Sequence, residues 1–226
     1  MIGLNALYPL IDRFKYRQIT VKSSSPYFFH THHKYEIYYF HSGKCQYKLG
    51  NESIDLVPGD LIVMNGMKEH GPVIDQNEPY IRTMLLFDKT FIKPLINDPD
   101  AIDVLQPFEE IGNLHIRLKG ETKQELEQIL VRMKGFYRRS DPVAYNRLKI
   151  AFMDLLLLIY EQAKQPELKS PLDGKDKNIQ SVMMFIEQNY AKPITMNLIE
   201  EKLHISRFYL MRMFKERTGL TVFDYL

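Results

Sequence analysis

His30, His32 and Glu36 stand at even positions in a run rich in Phe, Tyr and Ile, residues 28–40. Strand side chains alternate faces with period two, so these three share a face with Tyr38 and Phe40, while Tyr35, Ile37 and Tyr39 take the other. Polar groups beside aromatic rings on one face, with apolar residues on the other, suit a ligand cavity backed by a core. Imidazole and carboxylate would supply hydrogen bonds, and the rings flat surfaces on which a sugar or another small solute stacks. Arg82 has the parity of Tyr80 and Met84 in a later run. On an inward face its guanidinium would hold a carboxylate or a sugar hydroxyl. A second set lies near the end of the chain. Arg207, Met211, Arg212 and Lys215 follow Ser206 on a helix whose other side carries Leu210, Met213 and Phe214. In a DNA groove, Arg207 and Met211 would face base edges, while Arg212 and Lys215 would hold phosphates.

The first set needs strands to position it. Short β-rich runs at 44–49, 54–57, 61–64 and 81–87 are punctuated by turn signals at Ser42-Gly43, Gly50-Asn51 and Pro58-Gly59-Asp60, the texture of a sandwich or barrel. Beyond Phe91, Pro94, Pro99 and Pro107 leave mostly loops and one short helix up to Leu118, with His115 in a loop. Neither His41 nor His115 has an evident partner. Thr122 to Glu125 has the form of a capping box opening a helix with Leu126, Ile129, Leu130, Met133, Phe136 and Tyr137 on one face. Asp141-Pro142 opens another, presenting Leu148, Ala151, Phe152, Leu155, Leu156, Leu158 and Ile159. That surface is wider than one partner helix covers, which points to a subunit interface. The prolines, glycine and charges of 165–176 read as a linker, after which a helix from 176 or 177 buries Ile179, Val182, Met183, Ile186 and Tyr190.

The second set needs a helical pair. Thr195 is placed as the N-cap of a helix carrying Met196, Leu198, Ile199 and Leu203, and Ser206 as the cap of the next. Two short helices with a tight connection and a basic second helix follow the plan of a helix-turn-helix. Composition narrows the classes. The 226 residues have room for two modest domains, and 30 basic against 28 acidic residues leave nucleic-acid attraction to a local patch. One cysteine, Cys45, precludes a disulfide framework and suits a reducing cytoplasm. No signal peptide is evident, and the most apolar run, 150–160, is interrupted by Asp154 and shorter than the roughly 20 residues that span a bilayer. Nucleophile triads, phosphate-cradling glycine loops and paired acid–base carboxylates are not found.

The string from Ile194 to Gly219, with Ser206, Leu210, Phe214, Lys215 and Gly219 in place, resembles the first helix-turn-helix of the AraC/XylS family of transcriptional regulators. The resemblance covers 177–226 and departs at Glu200, where the family usually has a small Ala. That family reads DNA with two such motifs, and the chain stops at Leu226, where the linking helix would begin. Independently, His30-x-His32-x3-Glu36-x6-Gly43 resembles the first motif of the cupin fold, and Gly59 with His70 the second. There Asn65, Met67 and Ile74 replace the usual Pro, Gly and Asn. This resemblance makes His30, His32, Glu36 and His70 the ligand positions of metal-containing cupins, a set suited to Mn, Fe, Ni or Zn. A metal-free pocket is favoured, since the second motif is eroded, and no cofactor is expected.

Together these readings predict an α+β chain. A cupin-like β-barrel, or jelly roll, over 1–118 binds an effector through His30, His32, Glu36, Tyr38, Phe40, His70 and Arg82. A helical hairpin over 119–164 dimerises, and an all-α helix-turn-helix over 177–226 binds DNA through Ser206, Arg207, Met211, Arg212 and Lys215. The expected function is a cytoplasmic, homodimeric, ligand-responsive DNA-binding regulator without enzymatic activity or membrane contact. Two alternatives stay open: a truncated regulator that only binds effector and dimerises, and a metal-dependent cupin enzyme.

Overall fold

The computed structural model describes residues 14–15, 18–19, 29–32, 34–75, 77–88, 92, 95–96, 98, 100–111, 113–139, 141–164, 174–189, 193–218 and 221–225. Nine strands occur among these residues: β1 (Phe14–Lys15), β2 (Gln18–Ile19), β3 (Tyr35–Ser42), β4 (Cys45–Leu49), β5 (Glu52–Asp55), β6 (Asp60–Met64), β7 (His70–Ile74), β8 (Tyr80–Phe87) and β9 (Asn113–Arg117). They form two antiparallel sheets, ordered β1-β8-β3-β6-β9 with β2 also on β8, and β5-β4-β7. No strand ladder joins them among the described residues, so the expected barrel is a pair of facing sheets rather than a closed hydrogen-bonded cylinder.

The alternation along β3 separates two cores. Tyr35, Ile37 and Tyr39 face the helices, whereas Tyr38 and Phe40 face the smaller sheet and pack with Cys45, Tyr47, Ile62 and Tyr80. The pattern holds because β3 is central, paired with β6 and β8 on either side, and both its faces are covered. A bulge between Phe40 and Ser42 interrupts it only at the end.

Asp60 ties the larger sheet to its edge. Its side chain is fully buried, accepts from Val57 N–H at 2.9 Å, and accepts from Arg117 Nε and Nη2 at 2.9 and 3.2 Å. His115 Nε2 lies 3.3 Å from the same carboxylate. His115 therefore sits on β9 beside an acid, not in a loop. His41 has a partner too, in Thr83 Oγ1 at 2.8 Å. The signal for β9 was weak because its five residues follow closely on a π-helical turn at Pro107–Ile111.

Helix α1 (Gly120–Tyr137) begins two residues ahead of the capping box proposed at Thr122, after Lys119, which makes no side-chain cap bond. Helix α2 (Pro142–Ala163) starts as its sequence dictates, with Asp141 accepting from Ala144 N–H at 2.9 Å. The seven apolar residues expected to exceed one partner's coverage, Leu148 through Ile159, are all buried within this chain between α1 and the sheet. What α2 leaves outside is a different stripe, Val143, Ile150 and Leu157, seven residues apart; Val131 of α1 is exposed as well.

The last helices are α3 (Gly174–Asn189), α4 (Met196–Leu203), α5 (Arg207–Thr218) and α6 (Val222–Tyr225). They enclose Ile179, Val182, Met183, Ile186, Ile199, Leu210, Met213 and Phe214. Tyr190 and the linker residues 165–173 lie outside the described residues. Thr195 caps α4 by accepting from Leu198 N–H at 3.2 Å. The α4–α5 connection turns at His204, held at φ 55° in the left-handed region, a conformation that costs a non-glycine residue about 1–2 kcal/mol. Glu200 is only half-buried, so replacing a small residue there does not force a charge into the core. Among the described residues, one from outside the terminal helices joins this cluster: Met67, from the β6–β7 connection.

Burial opposes ionisation of Asp60 most strongly, but His115, Arg117 and Val57 N–H together outweigh it and hold the carboxyl at about 2, below the ordinary 3.8. A lowered folded pKa gives stability that is complete above the unfolded value and lost as pH falls through the folded one. The contribution is on the order of 2 kcal/mol, reduced where solvent reaches Arg117. Melting curves at pH 7, 4 and 2.5 should show Asp60→Asn destabilised at pH 7 and less pH-dependent than wild type between pH 4 and 2.5. Parallel curves would remove Asp60 as the anchor.

Candidate functional site

His30, His32, Glu36 and His70 converge from three segments, and their nearest donor atoms all lie within 4.8 Å of one another. The β6–β7 connection folds back on residues 30–32. His30 and His70 exchange two backbone hydrogen bonds of 3.1 Å, and His32 N–H donates to Gly66 O at 3.0 Å. Ring centroids of the three histidines are 4.6 to 5.3 Å apart. The burial is graded: His30 is exposed, His32 intermediate, Glu36 and His70 buried. The cluster thus opens on one side.

The tautomers follow from the partners. His32 Nδ1 lies 3.0 Å from Lys34 O, and His70 Nδ1 lies 2.7 Å from Lys68 O. A carbonyl can only accept, so both Nδ1 atoms carry the proton, and a neutral ring then presents a bare lone pair at Nε2. Both Nε2 atoms nevertheless face Glu36 Oε2, at 3.0 Å for His32 and 3.5 Å for His70. Two acceptors that close to a carboxylate require a cation, either a second ring proton or a metal ion. Burial pushes the Glu36 carboxyl upward more strongly than any other single influence, yet His32 and His70 together bring it down to about 2. It is therefore ionised at neutral pH. His70 Nε2 is buried without an aligned hydrogen-bond partner. These residues fit a divalent transition metal, with three ring nitrogens and one oxygen as ligands and backbone carbonyls orienting two of the rings.

Gly66 is what lets His32 lie against this connection. Its φ is +77°, and a Cβ there would stand 2.2 Å from His32 Nδ1 and 2.4 Å from His32 O. Sequence reasoning noted the flanking Asn65 and Met67 as departures but missed the glycine between them.

The remaining pocket residues lie deeper. Tyr38 and Phe40 are fully buried, packed against Tyr47 and Tyr80 respectively. Tyr38 and Tyr80 share a hydrogen bond between hydroxyls. Arg82 is on the inward face, 9% exposed, with its guanidinium 5.4 Å from the Tyr38 ring centroid.

On α5, Arg207, Met211, Arg212 and Lys215 are exposed, as is Ser206 ahead of it, while Leu210, Met213 and Phe214 are buried. Phe208, not singled out from sequence, shares the outer stripe with Met211, Arg212 and Lys215. It is 71% exposed, with Arg207 stacked 5.0 Å from its ring. Its signal was its spacing, three and four residues before Met211 and Arg212.

A family described as the AraC-like ligand binding domain matches residues 20–156. Among curated proteins, the chain is 26% identical over 140 residues to the HTH-type transcriptional activator RhaS of Enterobacter sp. (strain 638), covering 58% of this chain and 49% of that protein. The RhaS of Salmonella schwarzengrund (strain CVM19633) is 27% identical over the same shares. The chain spans about half the length of the curated relatives it matches. Among solved structures, the AraC-like transcriptional activator CuxR has a TM-score of 0.49 and 15% identity over 85% of this chain and 64% of its own. An apo ToxT variant from Vibrio cholerae strain SCE256 has a TM-score of 0.48 and 12% identity over 94% and 96%.

Gly66→Ala should lower the melting temperature, since the left-handed backbone alone costs about 1–2 kcal/mol and the methyl collides with His32. Adding His32→Ala should recover part of that loss, the rest remaining because the clash with the His32 carbonyl persists. Strictly additive losses in the two variants would show that the collision does not exist.

Proposed function

Because the chain belongs to the AraC-like ligand-binding-domain family, we propose that it is a ligand-responsive transcriptional regulator. An organic effector, of which a sugar is one class, would bind in a cupin-like sandwich and control DNA binding by α4 and α5. The observation that carries this reading is the single step from Gly66 to Met67. Gly66 lies against the ring of His32 in the candidate site, and Met67 is buried with Ile179, Val182 and Leu210 among the terminal helices. An effector that moves the first shifts the second, provided it prefers one of two arrangements. Within this reading His30, His32, Glu36 and His70 supply polar contacts, and Tyr38, Phe40 and Arg82 the inner wall. Arg207, Phe208 and Met211 meet base edges, and Arg212 and Lys215 meet phosphates. No catalytic chemistry is assigned, in keeping with relatives that are transcriptional activators.

The chain acts as a homodimer in this proposal, through Val143, Ile150 and Leu157 of α2 with Val131 of α1. Spacing by seven along a helix is that of a coiled-coil seam, and a second copy covers it. Among the described residues no helix is long and apolar enough to cross a membrane.

A second reading is favoured by one observation, the Nε2 atoms of His32 and His70 facing Glu36 Oε2 at 3.0 and 3.5 Å. Here a divalent metal bound by His30, His32, Glu36 and His70 would hold the effector by coordination or be the signal itself. Elemental analysis of purified protein decides between the two. About one metal per chain, lost in His32→Ala, would make the metal reading the leading one, and none leaves the cluster to an organic ligand.

Two measurements test the regulator reading. Ile150→Glu should convert a dimer to a monomer in sedimentation, with little change in far-UV circular dichroism; an unchanged mass would exclude the α2 stripe. Duplex DNA binding should weaken as salt rises, and Arg212→Ala or Lys215→Ala should each reduce the logarithmic salt slope by about 1. Binding indifferent to both variants would exclude α5 as the DNA-contacting helix.

A further inference from the structure

The space between the two sheets is rich in donors and poor in acceptors. Arg82 is 9% exposed, and among the described residues its Nε is buried without a hydrogen-bond partner and its Nη1 reaches only the sulfur of Met84, at 3.6 Å. Tyr47 OH likewise ends on a sulfur, Met64 Sδ at 3.8 Å. The Tyr38 and Tyr80 hydroxyls satisfy one another, with Cys45 Sγ 3.9 Å from Tyr38 OH. Thioether sulfur is a weak acceptor, so these are poor matches for a guanidinium with five N–H groups and a phenol. The nearby carboxylate, Glu36, favours the charged guanidinium only from a distance, without pairing with it. Glu36 is engaged by His32 and His70, and among the described residues no carboxylate oxygen lies within 4.0 Å of the Arg82 guanidinium.

A buried cation without an anion is costly, and a core built only for stability would carry an apolar residue there. The surroundings are otherwise apolar or aromatic: Phe40 is the register partner of Arg82 on β3, and the Tyr38 ring lies beneath the guanidinium. Arg presents a planar fork that matches a carboxylate with two parallel bonds, and withdrawal from water strengthens such a pair.

We propose that this interior takes a small organic acid whose carboxylate pairs with Arg82, the body of the ligand lying against the aromatic rings of Tyr38 and Phe40. The proposal rests on the effector-site reading and narrows it to an anion. In this proposal the sulfurs of Met84 and Met64 are weak partners that yield to the ligand. Room for the body of the ligand comes from side-chain movement, for which Met84 and Met64, unbranched and flexible, are suited.

The test is a thermal-shift and calorimetric comparison of matched probes on the purified full chain: benzoate against benzamide, galacturonate against galactose, and octanoate against octanamide. At least one acid should raise the melting temperature while its uncharged partner does not. Arg82→Met should melt higher than wild type without ligand, because an unpaired buried charge is gone, and should lose the response to the acid. Arg82→Lys should keep the response but bind about tenfold or more weakly, since the charge remains and the fork does not.

Equal responses to acid and neutral partner, no response to any acid, or an intact response in Arg82→Met would each overturn the anion site. A neutral sugar binding wild type and Arg82→Met alike would overturn it while leaving the ligand-responsive reading in place. Acid binding that depends on Arg82, in a chain that shows no salt-sensitive DNA binding, would sustain the anion site and sink the regulator reading instead.

Discussion

The buried charge of Glu36 is the constraint around which the sensor half is arranged. At 1% exposure its carboxylate has almost no water, and the desolvation of such a group costs several kcal/mol unless the protein replaces what is lost. Replacement comes from two imidazoles on different segments, so residues 30–32 and the start of β7 have to meet. They meet through the paired backbone bonds of His30 and His70 and through a glycine where no other residue allows His32 to approach. Each part is local chemistry, and together they fix how the two sheets close at one end.

The same strand that buries Glu36 divides the molecule. Odd residues of β3 commit to the helices, where Tyr35 stacks on Phe108 with ring centroids 5.0 Å apart and Tyr39 OH donates to Glu127 at 2.8 Å. Even residues commit to the space between sheets. A one-residue slip would exchange the two sets and place Glu36 among Leu126, Phe152 and Leu155, so register and site geometry are specified together.

Much of this was legible from residue order. Period-two alternation placed Glu36, Tyr38 and Phe40, whereas His30 and His32 precede β3 and reach Glu36 from outside the strand expected to carry them; Asp141 and Thr195 announced their helices because a cap is a local interaction between neighbours. What escaped depended on distant partners. β9 needs β6 to exist as a strand, and nothing in five residues reveals that Asp60 will receive Arg117 across 57 positions of sequence. The start of α1 misled for a related reason: Thr122 has cap chemistry, but the chain had already entered the helix at Gly120. The apolar residues of α2 expected to face a second subunit are covered within the chain, because periodicity marks every apolar position alike and only packing shows which ones the chain covers by itself.

In the proposed reading, coupling between the halves turns on how stiff the Gly66–Met67 step is. Asn65 Oδ1 accepts from Met67 N–H at 3.2 Å, closing a tight turn between the end of β6 and the start of β7. Both flanking strands are laddered into sheets, so the turn cannot drift freely. Movement at His32 is passed to Gly66 through the hydrogen bond from His32 N–H to Gly66 O, 3.0 Å long. Met67 is 8% exposed within a close-packed cluster, and such a cluster has discrete packings rather than a continuum. In that reading an effector need favour one packing only modestly. About 1.4 kcal/mol of preference changes the balance between two arrangements tenfold, which is within what one well-made hydrogen bond to a charged group supplies.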